Sequence, residues 1–335
     1  MPISPRVSVI IPTFQRRESV VASLRALTAQ ILPAVEFEVI VSIDGSSDGT
    51  QEALDSLSTP FNLRVIWHPN RGRAYACNVG IRLARCEILV ILDDDMEPSP
   101  GLLAAHLSAH VNATRLGVVG AVPIRLNSTS APVTRYIGEK FNRHLANLAR
   151  QGDIVELREF YSGNFSIRRE VLLEIGMFDE AFRVYGNEDL ELSLRLRRAG
   201  VRLIYDAEAV AQQHYDKDFE ALARDNIEKG RTAVMLVTKH PEALRELRLN
   251  AFDQDSVRWR ILRRALLSAS TIVPWTPDMV SLAIRVLEKG SLDRMDLYYR
   301  FAIDYYYWLG AEAALRENRR SGKGLSSLRC PNRAT

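Results

Sequence analysis

Four runs of nearly unbroken apolar, largely β-branched residues mark the first part of the chain: VSVIIPT (7–13), FEVIVSID (37–44), LRVIWH (63–68) and EILVILD (87–93). Runs this short and continuous suit strands covered on both faces, the condition of a parallel sheet. Between them the polar and apolar positions take a helical period, over about 17–29, 48–57 and 72–84. Strand and helix alternating at this spacing predict an α/β fold with a doubly wound, mostly parallel central sheet. Ligands in such sheets collect beyond the carboxyl ends of the strands. The residues following each run therefore matter most: Thr13-Phe14-Gln15-Arg16, Asp44-Gly45-Ser46-Ser47-Asp48 and Asp93-Asp94-Asp95.

The pattern changes twice further on. A polar loop, NSTSAPVT, begins at 127 and leads into a helical stretch to about 150. Then come SGNFSIRREVLLEIGMFDE (162–180), a helix over 187–199 and short strand-like pieces RLIYD and AVAQQ. Beyond about 240 the pattern is wholly helical. The reading is an α/β domain over 1–240, in halves of about 1–126 and 127–240. A helical extension over 241–320 and a flexible tail over 321–335 complete it.

Composition narrows the class. The 335 residues are 47% hydrophobic and 25% charged, which excludes a disordered or low-complexity chain. No stretch of 18 or more uncharged apolar residues occurs, so no transmembrane helix is expected. The opening MPISPRVSVI runs straight into a strand and lacks the apolar core of a secretory signal. Cys77, Cys86 and Cys330 are too few and too irregularly spaced for a disulfide framework or a cysteine zinc site, so a reduced, cytoplasmic protein is expected. Residues 241–335 carry 16 basic against 11 acidic side chains, which leaves 28 against 30 in 1–240. The α/β part is thus no nucleic-acid surface by charge, and the extension is mildly basic.

Candidate chemistry gathers at the strand ends. Three adjacent carboxylates repel one another unless something positive joins them. On extended backbone Asp93 and Asp95 point the same way, and oxygen-preferring Mg²⁺ or Mn²⁺ suits such a pair together with a substrate diphosphate. The plain alternative is a solvated loop capping the helix that begins near Pro98. Asp44 could accept from a ribose or base N–H, although Asp-Gly-Ser-Ser-Asp is also strong turn chemistry, with Asp48 a helix cap. In Asn70-Arg71-Gly72-Arg73, at a helix start, Arg73 is favoured over Arg71 for a phosphate or base. Glu188 and Asp189 open a helix, where capping competes with service as a general base toward an acceptor hydroxyl. His214 follows a short strand, and a lone histidine is more often structural than a ligand. His106 and His110 lack the glutamate of HExxH and read as surface helix residues.

Taken in order, VSVIIPTFQR, VSIDGSSDGT, NRGRAYACNVGI, LDDDMEPSPGLL, SGNFSIRREVLLEIGMFDE and GNEDLELSLRLRRAG resemble the family 2 glycosyltransferases of the GT-A fold. The resemblance spans about residues 7–215 and implies roles. Pro12, Thr13, Phe14 and Arg16 would line the nucleotide pocket, with Asp44 on the base and Arg73 nearby. Asp93-Asp94-Asp95 looks like the DxD motif, Asp93 facing the nucleotide and Asp95 the metal. Asp189 is similar to the general base of the ED motif, with Glu188 holding the acceptor. His214 falls where metal-dependent relatives place a ligand. Ser162, Gly163 and Asn164 would lie against donor sugar or acceptor, Asn164 standing where many relatives have a second glycine. The implied activity is metal-dependent, inverting transfer from a nucleotide diphosphate sugar, UDP favoured by family frequency, to a hydroxyl in polysaccharide, glycolipid or other glycoconjugate synthesis. Residues 1–126 would then be the nucleotide-sugar half and 127–240 the acceptor half.

In the extension, SVRWRILRRALLSASTI (256–272) places Trp259, Leu262, Leu266 and Ile272 on one side and Arg260, Arg263 and Arg264 largely on another. That helix and the aromatic-rich YYRFAIDYYYWLGAEAAL (298–315) either pack on protein or make peripheral membrane contact. A nucleotidyltransferase or dehydrogenase is disfavoured because PTFQRR after the first strand lacks their glycines. A non-catalytic nucleotide-sugar-binding or scaffold protein is the remaining alternative, against which the intact Asp93, Asp95, Glu188 and Asp189 weigh.

Overall fold

The computed structural model describes residues 5–151, 154–251, 256–290 and 295–320. The expected tail 321–335 and Cys330 lie outside them. The chain divides into two compact units, one of Met1–Ser128, Ile137–Arg183 and Glu188–Tyr215, the other of Thr129–Tyr136, Val184–Asn187 and Asp216–Thr335.

In the first unit the strands are β1 (Val7–Thr13), β2 (Phe37–Asp44), β3 (Asn62–His68), β4 (Ile88–Leu92), β5 (Met96–Pro98), β6 (Leu116–Gly120), β7 (Asn164–Arg168), β8 (Arg202–Asp206) and β9 (Ala211–Gln213). Seven of them form one sheet in the order β3-β2-β1-β4-β7-β6-β8, and β5 pairs with β9 in a separate ribbon. All neighbours in the large sheet are parallel except those of β7, which runs antiparallel to β4 and β6. The mostly parallel α/β sheet is as the apolar runs predict. Every residue of β1, β2 and β4 is buried, whereas β3, at the edge, buries only His68. Two hydrophobic cores form, Ile10, Ile40 and Phe165 among the residues of one, Val9, Val41 and Val90 among those of the other.

This topology sets up a site. From β1 the chain winds to β2 and β3 on one side, then returns to β4 on the other, so the strand order reverses between β1 and β4, where α/β sheets open a crevice. Because β7 is antiparallel, its beginning lies at the edge where β4 ends: Leu92 stands opposite Asn164.

His106 and His110, expected at the surface, are buried at 0% and 2% exposure. Helix Leu102–Ala109 turns His106 onto β7, where its Nε2 meets Asn164 Oδ1 at 2.8 Å and its Nδ1 meets Ser166 Oγ at 2.8 Å. His110 Nε2 reaches the same Ser166 Oγ at 2.9 Å. These histidines are interior because β7 carries polar residues that need partners away from water.

The second unit is helical. Helices Phe219–Lys239 and Met295–Arg320 meet where Gly230 faces the backbone of Tyr307 and Gly310 faces that of Ile227; a Cβ at either glycine would lie 1.9 Å from the facing carbonyl oxygen. The aromatic-rich segment is interior: Tyr299, Tyr305, Tyr306, Tyr307 and Trp308 are buried, so it packs on protein. On helix Val257–Ile272 the expected faces are only partly kept: Trp259 packs on Phe301 and Arg264 is exposed, as expected, but other positions depart from the pattern. Arg263 and Leu267 are its buried residues, and Leu262 and Ile272 are exposed. Arg263 NH1 pairs with Asp304 Oδ2 at 2.7 Å, a partner 41 positions away that helical periodicity cannot reveal. No helix among the described residues is long and apolar enough to cross a membrane.

Candidate active site

The crevice between β1 and β4 is lined by carboxylates that are each already held. Asp94, the middle of the triplet, is 7% exposed and accepts from Thr13 Oγ1 at 2.7 Å and Arg16 NH1 at 3.1 Å. Ser19 Oγ donates to its main-chain carbonyl at 2.9 Å. Burial pushes the Asp94 carboxyl up to about 7, against the pull of Arg16 and Thr13. Asp94 thus clamps the end of β1 and the residues after it to the loop after β4.

Asp93 and Asp95 flank it, the Asp93 side chain half-buried and that of Asp95 nearly as enclosed as Asp94. Asp93 accepts from Arg73 through Nε at 3.0 Å and NH2 at 2.7 Å. Its main-chain N–H donates to Gly163 O at 2.9 Å, and a Cβ on Gly163 would stand 2.4 Å from Asp93 Oδ2. Only glycine fits at 163 with the carboxylate in place. Asp95 receives Arg16 NH1 at 3.0 Å and Gln213 Nε2 at 3.3 Å. Burial and the neighbouring Asp93 raise its pKa, which Arg16 opposes.

Arg73 starts helix Arg73–Leu83 and links two parts of the site. Its NH1 donates to Ser162 Oγ at 3.0 Å, and Ser162 Oγ in turn donates to Asp189 Oδ1 at 2.5 Å. Arg73 NH1 lies 3.6 Å from the same Asp189 oxygen. Burial works against the arginine's charge, but Asp93, Asp189 and Glu188 outweigh it and hold the pKa well above the ordinary value. Asp189 and the buried Glu188 open helix Glu188–Arg198. Arg71, by contrast, lies over the Tyr75 ring at 3.9 Å and beside Glu180.

The remaining candidates divide. Asp44 ends β2 at 4% exposure and accepts from the main-chain N–H groups of Arg71 at 2.7 Å and Gly72 at 2.9 Å, so it shapes the loop that presents Arg73. Pro12 is buried within β1, and Phe14 projects from the strand's end at 48% exposure. Asn164 is fully buried: its Nδ2 donates to Ala209 O at 2.8 Å and Ala121 O at 3.1 Å, and its Oδ1 meets His106. Its side chain thus braces the sheet edge behind Gly163. His214 continues β9 beside Asp95, its N–H donating to Asp95 O at 2.9 Å, while its ring contacts Glu97 Oε2 at 2.7 Å.

Ser162 as the bridge, Gln213 against Asp95 and Glu97 against His214 are relations that motif reading misses. Glu97 alone left a trace, since it lies two positions after Asp95 on β5 and shares its face. Among the described residues no three His, Cys, Asp or Glu side chains converge into a ready-made metal cage. The donor set nonetheless suits a hard dication. Asp95 lies close enough to Asp93 for their charges to oppose each other, and His214 sits beside Asp95, its N–H on Asp95 O. The cations Arg73 and Arg16, which now balance the two carboxylates, mark where positive charge is called for. Of the cysteines, Cys77 is buried and its thiol is pushed up to about 12 by that burial, so it offers no thiolate.

The family described as "Glycosyl transferase family 2" matches residues 8–176, half of the chain. Uncharacterized glycosyltransferase YfnE of Bacillus subtilis is 31% identical over 258 residues, covering 62% of this chain and 65% of that protein. Validoxylamine A glucosyltransferase of Streptomyces hygroscopicus subsp. jinggangensis is 29% identical over 273 residues, covering 72% and 63%. The chain therefore spans somewhat under two thirds of these curated relatives. In three dimensions it resembles mannosyltransferase PcManGT from Pyrobaculum calidifontis, solved with GDP-Man and Mn²⁺, at a TM-score of 0.62 and 21% identity over 94% of this chain and 88% of that one. It also resembles residues 1–349 of S. aureus TarS, solved with UDP-GlcNAc, at 0.53 and 17% over 95% and 92%. These likenesses give the GT-A fold.

Proposed function

From the premise that this chain belongs to glycosyl transferase family 2, and is thus a glycosyltransferase, we propose that it transfers a sugar from a nucleotide diphosphate sugar, with inversion, to an acceptor hydroxyl. The observation that carries this reading is the run Asp93–Arg73–Ser162–Asp189. It joins a carboxylate suited to the donor's diphosphate side with one suited to an acceptor's proton.

Asp189 is the general base. Its Oδ1 is fixed by Ser162 and faced by Arg73. As the acceptor oxygen bonds to the anomeric carbon, its proton passes to Asp189 and the bond from carbon to diphosphate breaks. That single displacement needs no enzyme nucleophile, and the protonated thiol of Cys77 agrees with this. Glu188 orients the acceptor beside it, and Gly163 leaves room for the donor sugar against Asp93.

Pro12, Phe14 and Asp44 serve the base and ribose, and Arg16 and Arg73 the phosphates. Asp93, Asp95 and His214 would hold Mn²⁺ or Mg²⁺, which when bound supplies Lewis-acid neutralisation of the departing diphosphate. To bind it, His214 would turn from Glu97. A UDP-sugar is the favoured donor, and a carbohydrate or glycolipid hydroxyl the favoured acceptor. Structures of PcManGT with GDP-Man and of TarS with UDP-GlcNAc support a nucleotide-sugar donor.

A thermal-shift panel of UDP-, GDP- and dTDP-sugars with Mn²⁺, and again with chelator, tests this. Ligand bound only by the native state raises stability by mass action. The expected result is a rise with UDP-sugars that chelation abolishes. A rise indifferent to chelation overturns the metal assignment, and a rise confined to another nucleotide overturns UDP.

A further inference from the structure

Helices Val257–Ile272 and Thr276–Lys289 follow one another in the second unit through Val273, Pro274 and Trp275. Each has an inner side already satisfied by protein. Arg263 meets Asp304, and Trp259 stacks edge-on against Phe301 at 4.4 Å between ring centres. Ser281 Oγ contacts Tyr306 Oη at 2.6 Å, and Ile284 is buried beside it in sequence.

The outer sides are apolar where a surface helix should be polar. Val257, Ile261 and Ile272 share one stripe of the first helix, and Ile272 is 80% exposed. Met279, Leu282 and Val286, at spacings of three and four, form the outward stripe of the second, and Trp275 between the helices is 58% exposed. Scattered single apolar residues on a surface are ordinary, but a run on consecutive helices marks an interaction surface.

The charges beside the stripes say what covers them. Residues 256–290 hold six basic and two acidic side chains; Arg263 is turned inward onto Asp304, whereas Arg258, Arg264, Arg285 and Lys289 are exposed, Arg285 also reaching Glu220 Oε1 at 2.9 Å. A second copy docking on the same face would bring arginines against arginines. Anionic headgroups meet them instead, at about 1 kcal/mol for each basic side chain near the surface. Apolar stripe, basic flanks and an exposed tryptophan at the turn are what a helix lying in the plane of a membrane interface requires.

We infer that the outward faces of helices Val257–Ile272 and Thr276–Lys289 form a peripheral docking surface for an anionic lipid bilayer. The surface differs from the one helical periodicity predicts, since Trp259 and the buried Arg263 are inside and Ile261, Met279 and Val286 are outside. The inference is independent of the transferase chemistry.

Co-flotation of the full chain with vesicles tests it, using phosphatidylcholine alone and phosphatidylcholine with about one third phosphatidylglycerol. The chain should float with the anionic vesicles, float far less with the neutral ones, and be released by salt. Ile272→Glu combined with Val286→Glu, both at exposed positions, should cut partitioning tenfold or more, since burying one such side chain is worth about 1.5–3 kcal/mol. An unchanged thermal midpoint would show that the variant folds. No flotation with anionic vesicles, or flotation indifferent to the double variant, overturns the proposal. So does a wild-type dimer in sedimentation that the double variant dissolves, which would assign the face to a second copy.

Discussion

At the carboxyl edge of the sheet, charged groups are drawn inward: Asp94 and Glu188 are buried, and Arg73 and Arg16 are each shared between two acidic side chains. On the outward sides of Val257–Ile272 and Thr276–Lys289, large apolar groups stand in water. Both regions invert the ordinary distribution, in opposite senses. A buried polar cluster and an exposed apolar patch are the informative departures from the rule. In the crevice, mutual neutralisation makes burial tolerable and leaves carboxylates oriented toward a charged ligand. On the helices, none of the described residues of their own unit covers the stripes, and the basic flanks favour the anionic covering proposed above. On the proposed readings the first region binds by charge and the second by surface, so changes to each should register in different measurements.

The largest effect belongs to the crevice. Asp189→Asn keeps the shape and the Ser162 contact but removes the base, and transfer should fall by about 10²–10⁴-fold. Donor affinity, read by the nucleotide thermal shift, should be unchanged. A variant that still turns over removes Asp189 from the role of base. Next comes a buried charge that belongs to neither region's function. Arg263→Ala removes the shorter of two arginine contacts to Asp304, leaving Arg248 NH1 at 3.7 Å, and should cost toward the lower end of about 3–5 kcal/mol in denaturant unfolding. Arg263→Met with Asp304→Leu should recover most of that loss, because a well-packed apolar pair can replace a buried ion pair. Failure to recover would mean that the arginine serves more than packing. A smaller effect is expected at Gly163. In Gly163→Ala the new methyl meets Asp93 Oδ2, and displacing that carboxylate should weaken Mn²⁺-dependent donor binding by about 1–3 kcal/mol. Equal affinity in wild type and variant would separate Asp93 from the donor.

What could be read without coordinates follows from how local each signal is. β1 and β2 coincide with their apolar runs because strands covered on both faces must be apolar throughout, and β8 coincides with RLIYD, whose buried Leu203 and Tyr205 alternate with more exposed positions at the sheet edge. The acidic triplet and Asp189 stood out by type and position. β7 did not, because in NFSIR the alternate residues Asn164 and Ser166 are polar and yet fully buried. Their partners His106 and His110 lie some sixty positions back, on a helix that itself reads as exposed. The departures of Val257–Ile272 from its expected faces have the same origin, since the Asp304 that buries Arg263 lies beyond any local pattern. Ser162 between Arg73 and Asp189 is a third long-range pairing. Residue types at strand ends were legible, whereas the contacts that balance them depend on tertiary neighbours.

The smallest predicted effect comes from that buried network, whose hydrogen bonds fix its protonation. Asn164 Nδ2 donates to two main-chain carbonyls, so Oδ1 must accept, and the Nε2 of His106 carries the proton. His106 Nδ1 then accepts from Ser166 Oγ, which leaves Ser166 to accept from His110 Nε2–H. The last atom, His110 Nδ1, is buried without a partner. Burial, with His106 adding to it, pushes the His110 pKa down to about 4 from an ordinary 6.5, and His106 is lowered by burial as well. Above pH 6.5 folded and unfolded chains are both neutral at these positions, so full stability is present. As pH falls from 6.5 toward about 4, the unfolded chain binds protons that the folded chain refuses. Stability should then drop by up to about 1.4 kcal/mol per pH unit for each histidine. His110→Gln retains a donor to Ser166 and cannot titrate. Its denaturant midpoint should decline less steeply over this window than that of the wild type, while at pH 7 the protonation penalty is absent from both. Parallel declines would mean that the unpartnered Nδ1 of His110 takes up a proton in the folded state while Nε2–H still donates to Ser166, and that burial there does not exclude the charge.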